Sequence, residues 1–536
     1  MSVPANKEGG SFVNRSDVVI IGSGINSLTA AAVLSKRGHK VTVLEKNDWI
    51  GGCIKTEELL APGFKTDVFS GWHPLFVTSP AYAELKGDLE KFGLTYVNTD
   101  VPTGVILPNN ESTVLYTDRQ KNIENFNRIA KGEGDRYDEL MKNFEGNSDF
   151  VFHMLSNEPM SWNSMRTLSK FVRRKGLKEF KGEVGNMMKS ADSLLDQYFE
   201  SDVVKALLAP WILHTGLGPN DAAGNIMMQV LVFSLEAAGM PIPKGGGGEL
   251  VKALMKIVEV NGGRFFTNEQ VEQILVQKGK VLGVRTKNDE YLANYVLANV
   301  TPHQLYENLL TGVSIPESLQ RDVRNYKYGN AAMQIHYALD GPLEWENPEL
   351  NRAAMINITS GVEGVSQSVN EVYNGLLPKE GTIAVGQHTA FDPSRAPKGK
   401  HTLWIQLLEM PRNLKGDALG EIDTSHGYTK EVIEAYVERI EDRISQHAPN
   451  FKKMIINREI ISPVALETYN MNLVGGDPYS GVASIDQLLL WRPTSKYKRH
   501  ETPVKNLFHI GASTHPGPGL GGTSGYLAAQ EVKKIR

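Results

Sequence analysis

A glycine-punctuated β-α-β unit near the start of the chain limits its fold more than any other feature. Asp17-Val-Val-Ile-Ile21 is a short β-branched run that stops at glycine, as a strand buried on both faces does. Leu28 to Arg37 is alanine-rich and closes at Gly38, the residue type suited to the left-handed position after a helix. Val41-Thr-Val-Leu44 is a second strand of the same kind. Between the first strand and the helix stands Gly22-Ser23-Gly24-Ile25-Asn26-Ser27, a G-x-G-x-x-G pattern in the setting that makes it a dinucleotide fingerprint. Gly22 permits the tight turn, and Gly24 lets backbone approach a pyrophosphate at the positive helix N-terminus. Ser27 replaces the third glycine and, being small, is expected to change helix packing only slightly. Glu45, followed by Lys46, ends the second strand where it can accept hydrogen bonds from an adenosine ribose and disfavour a 2′-phosphate.

The chain has 51 glycines in 536 residues, above the average of about 7%. The excess gathers at Gly51-Gly52-Cys53, at Pro243 to Gly263 and at Gly511 to Gly525, so glycine marks places and is not spread as flexible linker. The stretch 76–242 reads as amphipathic helices, Lys280 to Asn299 as a hairpin turning at Lys287-Asn-Asp289, and Ile433, Val437, Ile440 and Ile444 as one helix face. The expected organisation is a flexible arm (1–16), a nucleotide domain in three parts (17–75, 243–300, 501–536) and a substrate domain in two (76–242, 301–500).

Glu45 followed six residues later by Gly51-Gly52 resembles the FAD-binding fold shared by amine oxidases, GDP-dissociation inhibitors and phytoene desaturases. The order continues with Pro243-Lys-Gly-Gly-Gly-Gly-Glu-Leu250 and Gln270-Val271-Glu272, and ends in Gly511-Ala512-Ser-Thr-His515-Pro-Gly-Pro-Gly519-Leu520-Gly521-Gly522-Thr523, which resembles the C-terminal flavin motif of phytoene desaturases. Ala191 to Leu208 and Ser462 to Arg492 resemble the substrate side of that group, which includes carotenoid ketolases and pyridine nucleotide-disulfide oxidoreductase-like proteins. The resemblance implies an α/β fold: a Rossmann-like FAD-binding domain of the amine oxidase and GDP-dissociation inhibitor type, with an inserted α+β substrate domain. It implies FAD as cofactor, with Gly51, Gly52 and Cys53 at pyrophosphate and ribityl, Val271 at adenine, and Gly511, Ala512, Leu520, Gly521, Gly522 and Thr523 at the flavin. It also sets Asn470, Gly475, Gly476 and Asp477 beside the isoalloxazine.

The implied activity is an FAD-dependent dehydrogenase, desaturase or oxidase taking hydride from an apolar or amphipathic, unsaturated substrate, with oxygen or a quinone as electron acceptor. A flavin amine oxidase with an aromatic cage is the alternative, and a lipid or protein carrier without redox work is a second. Flavin dehydrogenation needs orientation more than acid or base. His73 stands at the border between cofactor and substrate regions. His515 stands inside the flavin motif, either polarising an oxygen or bonding to backbone in a turn. His214, Trp491 and Tyr526 are weaker candidates.

One cysteine removes a disulfide framework and multi-cysteine metal sites, and the histidines show no metal-ligand spacing. A net charge of −4 gives nothing that attracts nucleic acid. The polar first 16 residues lack the apolar core of a leader and carry no targeting claim, whereas the single cysteine suits a reducing compartment, so the expected location is cytoplasmic. Basic Met165 to Lys189, with interleaved apolar residues, reads either as a peripheral membrane contact or as a solvated helix face. Ile226 to Met240 reads either as the wall of an apolar tunnel or as helix core.

Overall fold

Five parallel strands drawn from three separated stretches of chain form the sheet whose edge carries the glycine turns. The computed structural model describes residues 14–533. β1 (Asn14–Ile21) runs into α1 (Ile25–Lys36) and returns as β2 (Val41–Leu44). After a long excursion come α2 (Gly248–Val260), β3 (Arg264–Phe266), the hairpin strands β4 (Val271–Gln277) and β5 (Lys280–Thr286), and β6 (Glu290–Asn299). β7 (Leu507–Ile510) and α3 (Thr523–Glu531) close the unit. The parallel order is β3-β2-β1-β6-β7, and the β4-β5 hairpin continues antiparallel from the first residues of β6.

Both faces of this sheet are covered, which explains the unbroken apolar runs. Val18 and Ile20 pack under α1, α2 and α3 with Leu28, Leu254 and Ala528, whereas Val19 and Ile21 face Val296, Leu305 and Leu319 on the other side. The expected arm is too long by three residues: Asn14, Arg15 and Ser16 belong to β1, paired with Tyr291, Leu292 and Ala293. Residues 1–13 lie outside the described residues.

The substrate-side stretches make one seven-stranded sheet together. Thr103–Ile106, from the first stretch, pairs in parallel with Met355–Ile358, from the second, and the remaining neighbours are antiparallel. In Ala331–Leu339 every residue is buried, and the alternation sorts them: Met333, Ile335 and Tyr337 join a core closed by Val437, Ile440 and Ile444 of the helix Lys430–His447. Gln334 and His336 point to the opposite face, across which the helices of the 76–242 stretch lie.

One buried ionic cluster joins the two units. Arg395, with its side chain 1% exposed, bonds Asp67 Oδ2 at 2.5 Å, Asp392 Oδ2 at 3.1 Å and Pro243 O at 2.9 Å. The two carboxylates in turn accept from the second glycine turn, Asp67 from Gly247 N–H and Asp392 from Gly245 N–H. Burial alone drives the Asp67 carboxyl up, but the Arg395 guanidinium outweighs it and holds the group at about 2 against an ordinary 3.8. Its ionisation therefore stabilises the fold above pH 3.8, and that contribution is lost as pH falls towards 2. Arg395→Leu strands two buried carboxylates and is expected to cost about 3–5 kcal/mol in denaturant unfolding at neutral pH. A loss below about 1 kcal/mol would show that the cluster is solvated.

Candidate active site

The site begins where β1 ends. α1 has no side-chain cap and no acidic residue in its first turn, so its opening N–H groups are left for an anion. Gly24, Ile25 and Asn26 line a cavity of about 640 Å³. Gly52 sits against this turn in the left-handed region (φ +59°), and a Cβ there would lie 2.8 Å from the Gly24 Cα. Gly525 of α3 is equally constrained, since its Cβ would stand 1.8 Å from Asn26 O. Two further backbone stretches thus press on the first glycine turn with no room for a side chain.

Glu45 ties the turn from below. Its Oε2 accepts from Ser23 N–H at 2.9 Å and Ser23 Oγ–H at 2.7 Å, its Oε1 accepts from Asn47 N–H at 2.9 Å, and Ser23 Oγ accepts from Gly51 N–H at 3.1 Å. Of the residues expected at the cofactor, Gly22, Ser23, Gly24, Ile25, Asn26, Glu45, Lys46, Gly52, Cys53, Val271, Ala512 and Leu520 line the cavity. Gly51, Gly511, Gly521, Gly522 and Thr523 are not among its lining; Gly511 N–H donates to Ser524 Oγ, and Gly522 caps α3.

Asn299, at the end of β6, went unnoticed in the sequence. A Cβ on Gly22 would meet its carbonyl at 3.3 Å, one on Gly24 its Nδ2 at 3.3 Å and one on Gly511 its Oδ1 at 2.3 Å. Its Nδ2 donates to Ser27 Oγ at 2.9 Å, so Ser27 is more than a small packing residue at the third glycine position. Asn470 lines the cavity and donates to Cys53 Sγ at 3.2 Å, while burial pushes the Cys53 thiol up to about 11 and leaves it a poor thiolate. Asp477, from the same loop, is not in the lining and accepts from the N–H groups of Gly329, Tyr479 and Gly481.

Beyond the nucleotide end the cavity becomes apolar and aromatic. Trp72, Trp211, Trp404, Met227, Leu231 and Met240 line it, so the helix Gly224–Ala238 supplies both wall and core. Trp72 stacks on His388 with centroids 4.3 Å apart, and Trp211 on His214 at 4.9 Å. Burial lowers His214 to about 4 and His388 to about 3, so both are neutral at physiological pH. Among the described lining residues Lys46 is the single Lys or Arg, and the carboxylates are Glu45, Glu269 and Glu272, all around the β2 end and Val271.

Of the histidines singled out in the sequence, His214 lines this cavity, whereas His73 and His515 do not. His73 is 1% exposed beside Gly247 and the Asp67–Arg395 cluster, with neither ring nitrogen bonded, and burial lowers it to about 4. His515 faces a smaller neighbouring cavity shared with Trp491 and His500, where its Nε2 bonds Asn157 O at 3.0 Å. That partner is the carbonyl at the end of the distant helix Glu133–Ser156 and not backbone of the turn in which His515 stands. Tyr526 also lies off the lining, packed on the α1 side of the sheet.

The model of one family, flavin containing amine oxidoreductase, matches residues 28–533. The chain belongs to this family. It is an FAD-dependent oxidoreductase, and the uncapped helix, the crossing glycine backbones and Glu45 fit that cofactor. Among family relatives, pyridine nucleotide-disulfide oxidoreductase domain-containing protein 2 of Rattus norvegicus is 26% identical over 96% of this chain and 93% of its own length. The 4,4'-diapophytoene desaturase (4,4'-diapolycopene-forming) of a Methylomonas species is 22% identical over 95% and 93%. Among solved structures, an oxidoreductase from Methanosarcina mazei superposes with a TM-score of 0.63 at 17% identity, covering 96% of this chain and 99% of that one. No helix of the described residues is long and apolar enough to cross a membrane, and no cluster of three His, Cys, Asp or Glu among them is arranged to hold a metal.

Gly52→Ala adds a methyl group against Gly24 in a left-handed conformation that costs an L-residue roughly 1–2 kcal/mol. Titrating the apoprotein should show FAD affinity weakened about tenfold or more with the fold retained; unchanged affinity would contradict the backbone contact.

Proposed function

We propose that this oxidoreductase dehydrogenates a lipophilic, uncharged small molecule held in the aromatic end of the cavity. One observation carries the reading: a single cavity runs from the uncapped α1 terminus to a chamber walled by Trp72, Trp211, Trp404, Met227 and Leu231, and its carboxylates and lysine all lie at the nucleotide end. A cationic amine would find no carboxylate in that chamber, whereas its tryptophan rings suit the aromatic cage of the amine oxidase alternative, so a substrate panel has to separate the two. FAD, when bound, would supply the electron chemistry by accepting the hydride that a substrate C–H bond gives up. The chain's part is to bind, orient and exclude water. Gly24, Gly52, Glu45 and Val271 hold the nucleotide, and the tryptophans and methionines set the substrate by shape and dispersion. His73 and His515 take no part in proton transfer. A desaturase among the relatives, acting on diapophytoene by its name, is in keeping with a lipophile; oxygen or a quinone is the acceptor this reading assigns.

Anaerobic mixing of the holoprotein with amines, polyenes and other lipids should bleach the flavin with an uncharged lipophile and not with amines. His73→Phe and His515→Gln should slow bleaching by less than tenfold; a loss of about 10²–10⁴ would restore a general acid or base role. Bleaching by amines alone would overturn the reading.

The proposal includes contact with an anionic membrane surface. The helices Trp162–Lys175 and Leu177–Met187 expose Trp162 (84%) and Leu177 (68%) beside exposed Arg166, Lys170, Arg173, Arg174, Lys178 and Lys181. The protein should float with phosphatidylserine vesicles at low salt, and Trp162→Ser with Leu177→Ser should abolish it. No flotation of the unaltered protein would refute the contact.

A further inference from the structure

At the nucleotide end the outer wall of the cavity is one short segment, residues 469–473, between the helix Pro463–Tyr469 and the glycine pair Gly475-Gly476. Asn470, Met471, Asn472 and Leu473 line the cavity, yet Tyr469 to Asn472 are only half-buried. A single thickness of chain thus stands there between cavity and solvent.

Four consecutive residues of this segment are bonded to residues that line the same cavity, and every bond is made by a side-chain amide. Asn47 Nδ2 donates to Tyr469 O at 2.9 Å, Asn470 Nδ2 to Cys53 Sγ at 3.2 Å, Gln304 Nε2 to Met471 O at 2.6 Å and Asn472 Nδ2 to Asn299 O at 3.0 Å. Among the described residues, the backbone-to-backbone bonds of 470–473 all stay within 466–476. The anchors place the segment over the first glycine turn. Cys53 follows Gly52, whose Cβ would stand 2.8 Å from Gly24 Cα, and the Asn299 carbonyl lies 3.3 Å from where a Gly22 Cβ would stand.

Both ends of the segment are defined. The Tyr469 ring meets Trp49 and Phe69 edge-on, with centroids 6.2 and 5.5 Å away. At the other end Gly475 and Gly476 have φ of +63° and +85°, and beyond them the Asp477 carboxylate accepts from the N–H groups of Gly329, Tyr479 and Gly481. Two successive glycines beside a fixed point make a hinge. Side-chain bonds at a half-exposed surface are individually weak, so this wall opens far more readily than the glycine backbones packed at Gly24.

We propose that residues 469–473 are a strap that closes over bound FAD, and that the cofactor enters and leaves when the bonds of Asn47, Gln304, Asn470 and Asn472 are unmade. Opening the strap exposes the place of the pyrophosphate, and closing it excludes water from there. Strap opening governs the cofactor and is independent of the substrate's class.

The test is exchange of the holoprotein's bound FAD for isotopically labelled FAD, with uptake measured separately on protein freed of flavin. Asn47→Ala with Gln304→Ala cuts two bonds from the far side of the cavity and should release FAD at least about tenfold faster. Uptake should quicken as well, so that the dissociation constant changes less than either rate. Asn470→Ala with Asn472→Ala cuts the other two bonds from the strap itself and should do the same. The four single substitutions cover the case in which a pair fails to fold, each quickening both rates about threefold. Amides that touched the nucleotide directly would quicken release alone, and a merely structural role would slow uptake. Release that is unchanged, or quickened without faster uptake, would overturn the strap while leaving FAD dependence intact.

Discussion

The contact on which the rest depends is backbone laid on backbone at Gly24. Three segments far apart in sequence converge there: the first turn itself, Gly52 over its Cα, and Gly525 against Asn26 O. Asn299 closes the set from beneath, filling the space beside Gly22, Gly24 and Gly511 and bonding Ser27. The inserted stretches must therefore leave and return such that these close approaches are kept. The Arg395 cluster is how the substrate unit meets that demand, since it fixes the second glycine turn through Asp67 and Asp392.

Charge is distributed along the cavity in a way that divides labour. Carboxylates and the lining lysine gather at the end of the cavity beside the uncapped α1 terminus, whereas the far end is lined by neutral rings, thioethers and amides. Imidazoles in and behind that wall are neutral because burial depresses them: His73, His214 and His336 to about 4 and His388 to about 3. Neutral imidazoles take up no protons at physiological pH, which suits the proposed role of the chamber, since hydride transfer to a flavin asks a protein for orientation more than for acid or base.

How much of this was legible beforehand follows from the range of each interaction. β1, α1 and β2 could be read because burial on two faces and a glycine turn leave local signatures, and Glu45 could be read because its spacing from the turn is set by one helix. Asn299 could not, because its partners lie on three distant segments: the first turn with Ser27, Gly511, and Asn472, whose Nδ2 donates to Asn299 O at 3.0 Å. Gln334 and Gln406 looked like ordinary polar residues; only the pairing of their strands sets them side by side in a buried wall. His73 and His515 stand in motifs, yet the ring of His515 bonds Asn157 O and the ring nitrogens of His73 have no partner, and a motif does not reveal which way a ring turns. The arm was overextended because Asn14, Arg15 and Ser16 are polar, although β6 supplies them with strand partners.

The most direct measurement is the identity and amount of flavin released by heat denaturation of the purified protein. The convergence of glycine backbones at an uncapped helix, with Glu45 set for an adenosine ribose, predicts one FAD per chain. FMN in its place, or a colourless protein that takes up no FAD when it is supplied, would contradict the account.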